Sequence, residues 1–225
     1  MMLKLVLAIR FRSGFSDSCT EGAFRGCRGL KGKIRCTRRM RSEKRLWRED
    51  LALSDAGIDD RDLYNEDGSP NVMNAAWGGT GGEELLTVCI DNTHKIWANI
   101  EKRKAFTISV GTAAQVKACD YLGCVSGNQT PDKVAKSGFH VTCSTHVDAP
   151  TIDELPLVFE CELVSMDPEI CLVVGKVVNV ACDESALTDG KPDAEKIAPI
   201  TFDPVAHVYR PLAAPLAQAF KVGLE

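Results

Sequence analysis

Short runs of alternating apolar and polar residues recur along the chain beyond residue 64, and turn-forming residues separate them. A period of two is typical of strands that bury one face, and the runs are too short to favour helices. The pattern therefore predicts a mainly β fold, a small barrel with helical inserts. The predicted strands cover residues 85–90, 106–110, 157–164 and 171–180.

Turn and helix signals lie between these strands. Asp67-Gly68 and Pro70 predict a hairpin turn over residues 64–70, with a strand ending just before it. The glycine run at residues 78–82 predicts a loop. The predicted helices cover residues 94–102 with Thr93 as N-cap, residues 113–122, and a segment that begins at Pro131.

The composition limits the class of protein. The chain has 225 residues, of which 44% are hydrophobic, so it can bury a sizeable core. No apolar run reaches the roughly 20 residues of a membrane-spanning helix. Its ten cysteines form no C-x-x-C pair and have no histidines at zinc-ligand spacing, so we expect free thiols and no metal site. A soluble, cytoplasmic protein is expected.

The charge distribution divides the chain near residue 64. Residues 1–63 hold 15 basic and 9 acidic residues, whereas residues 64–225 hold 12 and 22. This difference predicts a basic N-terminal arm followed by a separate domain. Clustered arginines suit a phosphate backbone, but the arm has no zinc-finger spacing and no aromatic RNA-binding motif. Nucleic-acid binding is therefore the least favoured interpretation.

A shifted reading frame is another explanation of the arm. Suitable synonymous codons for residues 43–63, read from their second base, encode KKDFGAKTWLYPMPVLMIGT, and Tyr64 then resumes the printed frame. The shifted string contains an apolar strand that the printed one lacks. The hypothesis is that residues 1–63 are disordered or out of frame and stand where the domain would have its first strand. The sequence of the encoding DNA tests it.

A series of short motifs follows in one order along the domain. The longest is N-V-M-N-A-A-W-G-G at residues 71–79, and others lie at residues 119–121, 148–150, 160–161 and 200–204. In this order the motifs resemble the flavin reductase-like, FMN-binding split-barrel family, particularly its flavoredoxin-like branch. The resemblance covers nearly all of residues 64–225. The shifted string also resembles the first barrel strand of that family.

The resemblance implies a split β-barrel that binds FMN without a covalent bond, forms a homodimer and accepts electrons from NADH or NADPH. The chain has no G-x-G-x-x-G motif that would indicate which nicotinamide nucleotide it prefers. No catalytic side chain is assigned, because the flavin itself performs the electron transfer. The cofactor-binding residues implied are Asn71, Asn74, Trp77, His94, Lys95, Ser126, Lys133 and Phe202.

Each implied site residue also has a purely structural interpretation. Without a cofactor role, Asn71 would be a turn residue, Trp77 and Phe202 would be hydrophobic core residues, and Lys133 would be a solvated surface residue. A solvated first helical turn suits His94 and Lys95, and a loop suits Ser126. Two functions remain open: an FMN-dependent oxidoreductase that passes electrons to flavin or another acceptor, and a non-catalytic FMN-binding electron carrier.

Overall fold

The computed structural model describes residues 2–3, 5–6, 61–64, 68–212 and 214–224. Over these residues the fold is mainly β, with four short α-helices. The rest of the predicted N-terminal arm lies outside the described residues.

One large antiparallel sheet forms the barrel wall. Its strands are β2 (Leu5–Val6), β3 (Arg61–Tyr64), β4 (Pro70–Ala75), β5 (Gly78–Thr80), β6 (Leu85–Cys89), β7 (Ala105–Val110), β10 (Leu157–Asp167) and β11 (Leu172–Cys182). They neighbour one another in the order β4, then β2 and β3 at one position, then β7, β10, β11, β6 and β5. Among the described residues, the two edge strands β4 and β5 are not paired with each other, so the barrel is split.

Three smaller sheets lie beside this wall. Their strands are β1 (Met2–Leu3), β8 (Val141–Cys143), β9 (Pro150–Ile152), β12 (Leu187–Thr188), β13 (Lys191–Pro192), β14 (Ile200–Asp203) and β15 (Val208–Pro211). One sheet has the order β1-β14-β15, and the other two are two-stranded pairs, β8 with β9 and β12 with β13.

The four predicted strands are confirmed, as is the strand that ends at Tyr64 before the hairpin turn. The positive φ of Gly68 (81°) is the backbone conformation that this turn requires. The predicted loop over the glycine run is wrong at Gly78–Thr80, which pairs with β6 as a short strand, while Gly81 and Gly82 lie in the connection between the two strands. Hydrogen bonds to a neighbouring strand there outweigh the low strand propensity of glycine.

The helices lie close to their predicted positions. The predicted Thr93 cap is wrong: the Thr93 N–H and hydroxyl both donate to Asp91 Oδ1, and His94 is the N-cap without a side-chain capping bond. The helices are α1 (Lys95–Arg103), α2 (Val116–Cys124), preceded by a 3-10 turn at Ala113–Gln115, α3 (Lys133–Ser137) and α4 (Ala194–Ile197).

Three short segments that precede the hairpin turn pair with strands of the domain. Met2–Leu3 pairs with β14, while Leu5–Val6 and Arg61–Tyr64 both pair with β4 and β7. Backbone pairing requires only N–H and C=O groups in register, so the missing apolar alternation does not prevent it.

Two hydrophobic clusters lie on opposite faces of β4. Ala75 belongs to the larger cluster, with the inward side chains of the barrel and of α1. Val72 belongs to the smaller cluster, with Cys119 and Leu122 of α2. Since side chains alternate along a strand, α1 and α2 cover opposite faces of β4.

In the part of the chain that the structure describes, no helix is both long and apolar enough to cross a membrane. All seven cysteines described there are free thiols. Burial raises the pKa of the Cys161 thiol well above its ordinary value, and the charge of neighbouring Glu160 adds to this effect.

Candidate functional site

Strand β4 carries two buried amide side chains, Asn71 (4% exposed) and Asn74 (8% exposed). Asparagine is unusual in a buried strand because its amide needs hydrogen-bond partners there. The turn interpretation of Asn71 is therefore wrong, since the residue lies inside the strand.

Asn71 contacts the loop between α2 and α3. A Cβ placed on Gly127 would lie 2.4 Å from Asn71 Oδ1, closer than two such atoms can approach. Glycine at this position therefore allows the loop backbone to approach the amide. The neighbouring Ser126 side chain is exposed, and its Oγ accepts the Asn128 N–H at 3.3 Å.

Asn74 belongs to a hydrogen-bonded chain that joins three elements. Its Nδ2 donates to the Tyr209 hydroxyl of β15 at 3.4 Å, and that hydroxyl donates to Asp120 Oδ1 of α2 at 2.6 Å. Among the described residues, the buried Asn74 Oδ1 accepts no hydrogen bond. Gly123 of α2 packs close to the same side chain, since a Cβ there would lie 3.0 Å from the Asn74 Cβ.

Lys133 is buried rather than exposed at the surface, with 3% of the residue accessible. Its Nζ donates to the carbonyl oxygens of Leu122 at 3.0 Å and Val125 at 2.9 Å. These carbonyls lie at the C-terminal end of α2, where a cation is favourable. The surface interpretation of Lys133 is wrong, and the structure gives the residue a role in holding the α2–α3 loop.

Phe202 lies in an aromatic hairpin formed by β14 and β15. Its ring centroid is 5.9 Å from that of Tyr209 and 6.3 Å from that of His207. Asp203 stabilises the turn of this hairpin. The Ala206 N–H and, after it, the Arg210 guanidinium lower the pKa of the Asp203 carboxyl.

Trp77 follows β4 and lies partly at the surface, with 46% of the residue exposed. Its backbone carbonyl accepts the Cys89 N–H at 2.7 Å, which fixes the backbone beside β6. The core interpretation of Trp77 is therefore wrong, because much of the indole is open to contact.

His94 and Lys95 begin α1, and α1 covers the face of β4 opposite α2. The structure therefore places this pair on a different element from the α2–α3 loop. His94 is exposed and Lys95 is half-buried.

The structure brings five of the eight predicted residues into one region. Asn71, Asn74, Ser126, Lys133 and Phe202 are connected through β4, the α2–α3 loop and Tyr209.

Two members of this region, Asp120 and Tyr209, were not identified from the sequence. Asp120 lies within one of the family-like motifs, at residues 119–121, which could have indicated it. Tyr209 carried no comparable signal, because it reaches Asn74 only through the packing of β15.

A cavity of about 250 Å³ lies elsewhere, between the 3-10 turn that precedes α2 and helix α4. Thr112, Gln115, Glu154 and Lys196 are among its lining residues, and none of the eight predicted site residues lines it. The Glu154 carboxylate accepts hydrogen bonds from the backbone N–H of His140 and from its ring.

With its edge strands β4 and β5 unpaired to each other among the described residues, the large antiparallel sheet defines the class of protein as a split β-barrel. The flavin reductase like domain matches residues 65–204. The chain belongs to this flavin reductase-like family.

Solved structures agree with this assignment. Flavoredoxin of Desulfovibrio vulgaris (Miyazaki F) is 35% identical with a TM-score of 0.70, over 74% of this chain and 91% of that chain. Flavoredoxin from Methanosarcina acetivorans is 25% identical with a TM-score of 0.67, over 74% of this chain and 90% of that chain. An FMN-binding domain of flavin reductase-like enzymes from Shewanella baltica OS155 shares the fold at 19% identity and a TM-score of 0.69, over 79% and 96% of the two chains. No curated protein matches the sequence.

Proposed function

We propose that the protein is an FMN-dependent oxidoreductase that passes electrons from NADH or NADPH through bound FMN to free flavin or another acceptor. The observation that carries this proposal is the buried Asn74 carbonyl oxygen without a partner among the described residues. A buried acceptor of this kind costs stability unless a ligand supplies a donor. The flavin reductase-like family assignment indicates which ligand that is.

The chemistry of FMN matches the residues of this region. Its ring has a polar edge of carbonyl and N–H groups, which suits the amides of Asn71 and Asn74. Its flat apolar face suits the partly exposed ring of Trp77, and Phe202 would support the same region through Tyr209.

The phosphate of FMN requires cations or N–H donors. The proposed ligands are Lys133 and the Ser126 hydroxyl of the α2–α3 loop, together with His94 and Lys95, which the structure places on a separate element at the start of α1. The contacts of Lys133 with two carbonyls favour an indirect contribution, in which it holds the loop that carries Ser126.

Bound FMN supplies hydride acceptance and onward electron transfer. The protein residues bind and orient it, and none is proposed as a proton donor.

An FMN-binding electron carrier without NAD(P)H activity is the second candidate. The similarity to two flavoredoxins, at 35% and 25% identity, favours it. In that case FMN would stay bound and exchange electrons only with a partner protein.

We also propose a homodimer. Large apolar side chains of the C-terminal tail are almost fully exposed, and burying them against a second copy would stabilise the pair. They are Leu216, Phe220 and Leu224. Light scattering that gives a flavin-loaded monomer at micromolar concentration would refute the dimer.

Two measurements test the proposed function. The purified protein, incubated with FMN and desalted, should show the two flavin absorbance bands between about 350 and 500 nm. Absence of these bands would contradict FMN binding. Oxidation of NADH or NADPH by the loaded protein then separates the oxidoreductase from the carrier, which should not catalyse it.

A further inference from the structure

We propose that Tyr209 and Asp120 fix the orientation of the Asn74 amide, so that Asn74 Oδ1 accepts a hydrogen bond from a donor group of the bound flavin. The inference rests on the proposed function and names the contact that one residue makes. Tyr209 and Asp120 act as positioning residues, because neither needs to touch the flavin.

The orientation follows from the donors and acceptors in the chain. An ionised carboxylate only accepts hydrogen bonds, so the Tyr209 hydroxyl must donate its single proton to Asp120 Oδ1, 2.6 Å away. The phenol oxygen then offers only lone pairs to Asn74. Asn74 must therefore present its NH₂ group to Tyr209, at 3.4 Å.

This arrangement directs the other end of the amide away from Tyr209. Asn74 Oδ1 is buried and accepts nothing from the described residues. Gly123 packs against the Asn74 side chain, and this contact limits rotation of the Asn74 amide. The result is an acceptor held in one orientation before any ligand binds, which lowers the entropy cost of binding.

A complementary ligand group must be an N–H or O–H donor. Oxidised FMN has one ring N–H, the imide N3–H, and three ribityl hydroxyls. These two sources share the same hydrogen-bond chemistry at Asn74 Oδ1, and flavin analogues distinguish them.

The experiment measures dissociation constants by flavin fluorescence for FMN, 3-methyl-FMN and lumiflavin. The variants are Asn74→Leu, Tyr209→Phe and Asp120→Asn. Tyr121→Phe is the matched control, because it deletes one phenol oxygen at the residue next to Asp120. Melting temperatures show whether each variant is folded.

Asn74→Leu should weaken FMN binding about tenfold or more, because a flavin donor loses its partner in a buried site. Tyr209→Phe should weaken it about threefold to tenfold, since it frees the amide to turn. Asp120→Asn should weaken it less, because the amide oxygen of asparagine still accepts the Tyr209 hydroxyl. Tyr121→Phe should bind FMN as the parent does. Because Tyr209→Phe keeps Asn74 in place, it decides the question even if Asn74→Leu does not fold.

The analogues identify the donor. If it is the ring N3–H, the parent should bind 3-methyl-FMN more weakly than FMN, and Asn74→Leu should lose this discrimination. If it is a ribityl hydroxyl, methylation should have little effect, and Asn74→Leu should weaken FMN but not lumiflavin. A purely structural role of Asn74 would weaken all three ligands equally.

The positioning role is overturned if folded Tyr209→Phe binds FMN within twofold of the parent. The contact is overturned if folded Asn74→Leu does so, or if all three flavins weaken equally. If the parent protein binds FMN but the variants give these overturning results, the further inference is wrong and the proposed function still holds. A parent protein that binds no flavin refutes both.

Discussion

Val6 and Arg61 occupy neighbouring positions of one barrel strand, although residues 7–60 separate them in the chain. Val6 lies opposite Asn74 of β4, and Arg61 lies opposite Met73, the adjacent residue. The two short strands β2 and β3 therefore share one register, as if the chain passed directly from one to the other.

The pairing of β2 and β3 with their other neighbour, β7, follows the same continuous register. Val6 pairs with Ser109 of β7, and Arg61 pairs with Ile108. The barrel thus has room for one contiguous first strand between β4 and β7. This agrees with the hypothesis that a single strand, encoded in the shifted frame, belongs immediately before Tyr64.

Replacing residues 1–63 with KTWLYPMPVLMIGT should stabilise the domain. A contiguous strand removes the entropy cost of joining two segments across a long chain, about 3 kcal/mol for this length. The melting temperature should rise by roughly 5–10 °C, and the FMN occupancy should rise with it. A scrambled string of the same composition is the control.

Hydrogen exchange checks the same prediction in the parent chain. Amides of residues 52–60 should exchange much faster than those of β7. Protection equal to that of β7 would show that the printed arm is a genuine part of the barrel, and the frame hypothesis would be wrong.

Gly127→Ala should weaken FMN binding by about tenfold. The new Cβ would lie 2.4 Å from Asn71 Oδ1, so either the amide or the loop must move. Gly79→Ala is the control, because nothing lies within 4 Å of its Cβ position. Equal affinity of Gly127→Ala and the parent for FMN would remove Asn71 from the proposed site.

Lys133→Met should lower the stability of the protein by about 1.5–3 kcal/mol, since it removes charged hydrogen bonds to the carbonyls of Leu122 and Val125 while keeping most of the stem. We expect similar losses of affinity for FMN and riboflavin, because the lysine holds the loop. Urea unfolding and flavin titrations measure both effects. A loss confined to FMN would instead show direct contact with the phosphate.

Gly175→Ala should destabilise the barrel core by about 1–3 kcal/mol. A Cβ at this position of β11 would lie 2.2 Å from the Phe106 ring, which is fully buried. Thermal unfolding measures the change. The double variant Gly175→Ala, Phe106→Leu should recover part of the loss, and a double variant no more stable than the single one would contradict the packing explanation.

The pair of His140 and Glu154 should respond to pH. The hydrogen bond that the His140 ring donates to Glu154, and then the charge of Glu154, raise the pKa of His140 above its ordinary value of 6.5. A raised folded-state pKa contributes stability that is fully present below pH 6.5 and is lost as the pH rises through the folded-state value. NMR titration should show a lower His140 pKa in Glu154→Gln, and an unchanged pKa would contradict this coupling.

The sequence alone determined the strands with clear alternation and the family. The period-two patterns near residues 85–90 and 171–180 are local signals, and β6 and β11 lie there. The ordered motifs indicated the flavin reductase-like family for the same reason, since they are strings of neighbouring residues. The predicted Thr93 cap shows where a local sequence signal fails. The Thr93 N–H and hydroxyl both donate to Asp91, so the hydroxyl does not cap the helix.

Only the tertiary structure decided the roles of Lys133 and Tyr209. Lysine is a surface residue by composition, and its burial depends on carbonyls that the end of α2 leaves without helical partners. Tyr209 meets Asn74 across 135 positions of the chain, a distance at which no sequence pattern indicates contact. The candidate site depends on such long-range packing, because β4, α2 and β15 become neighbours only when the barrel folds.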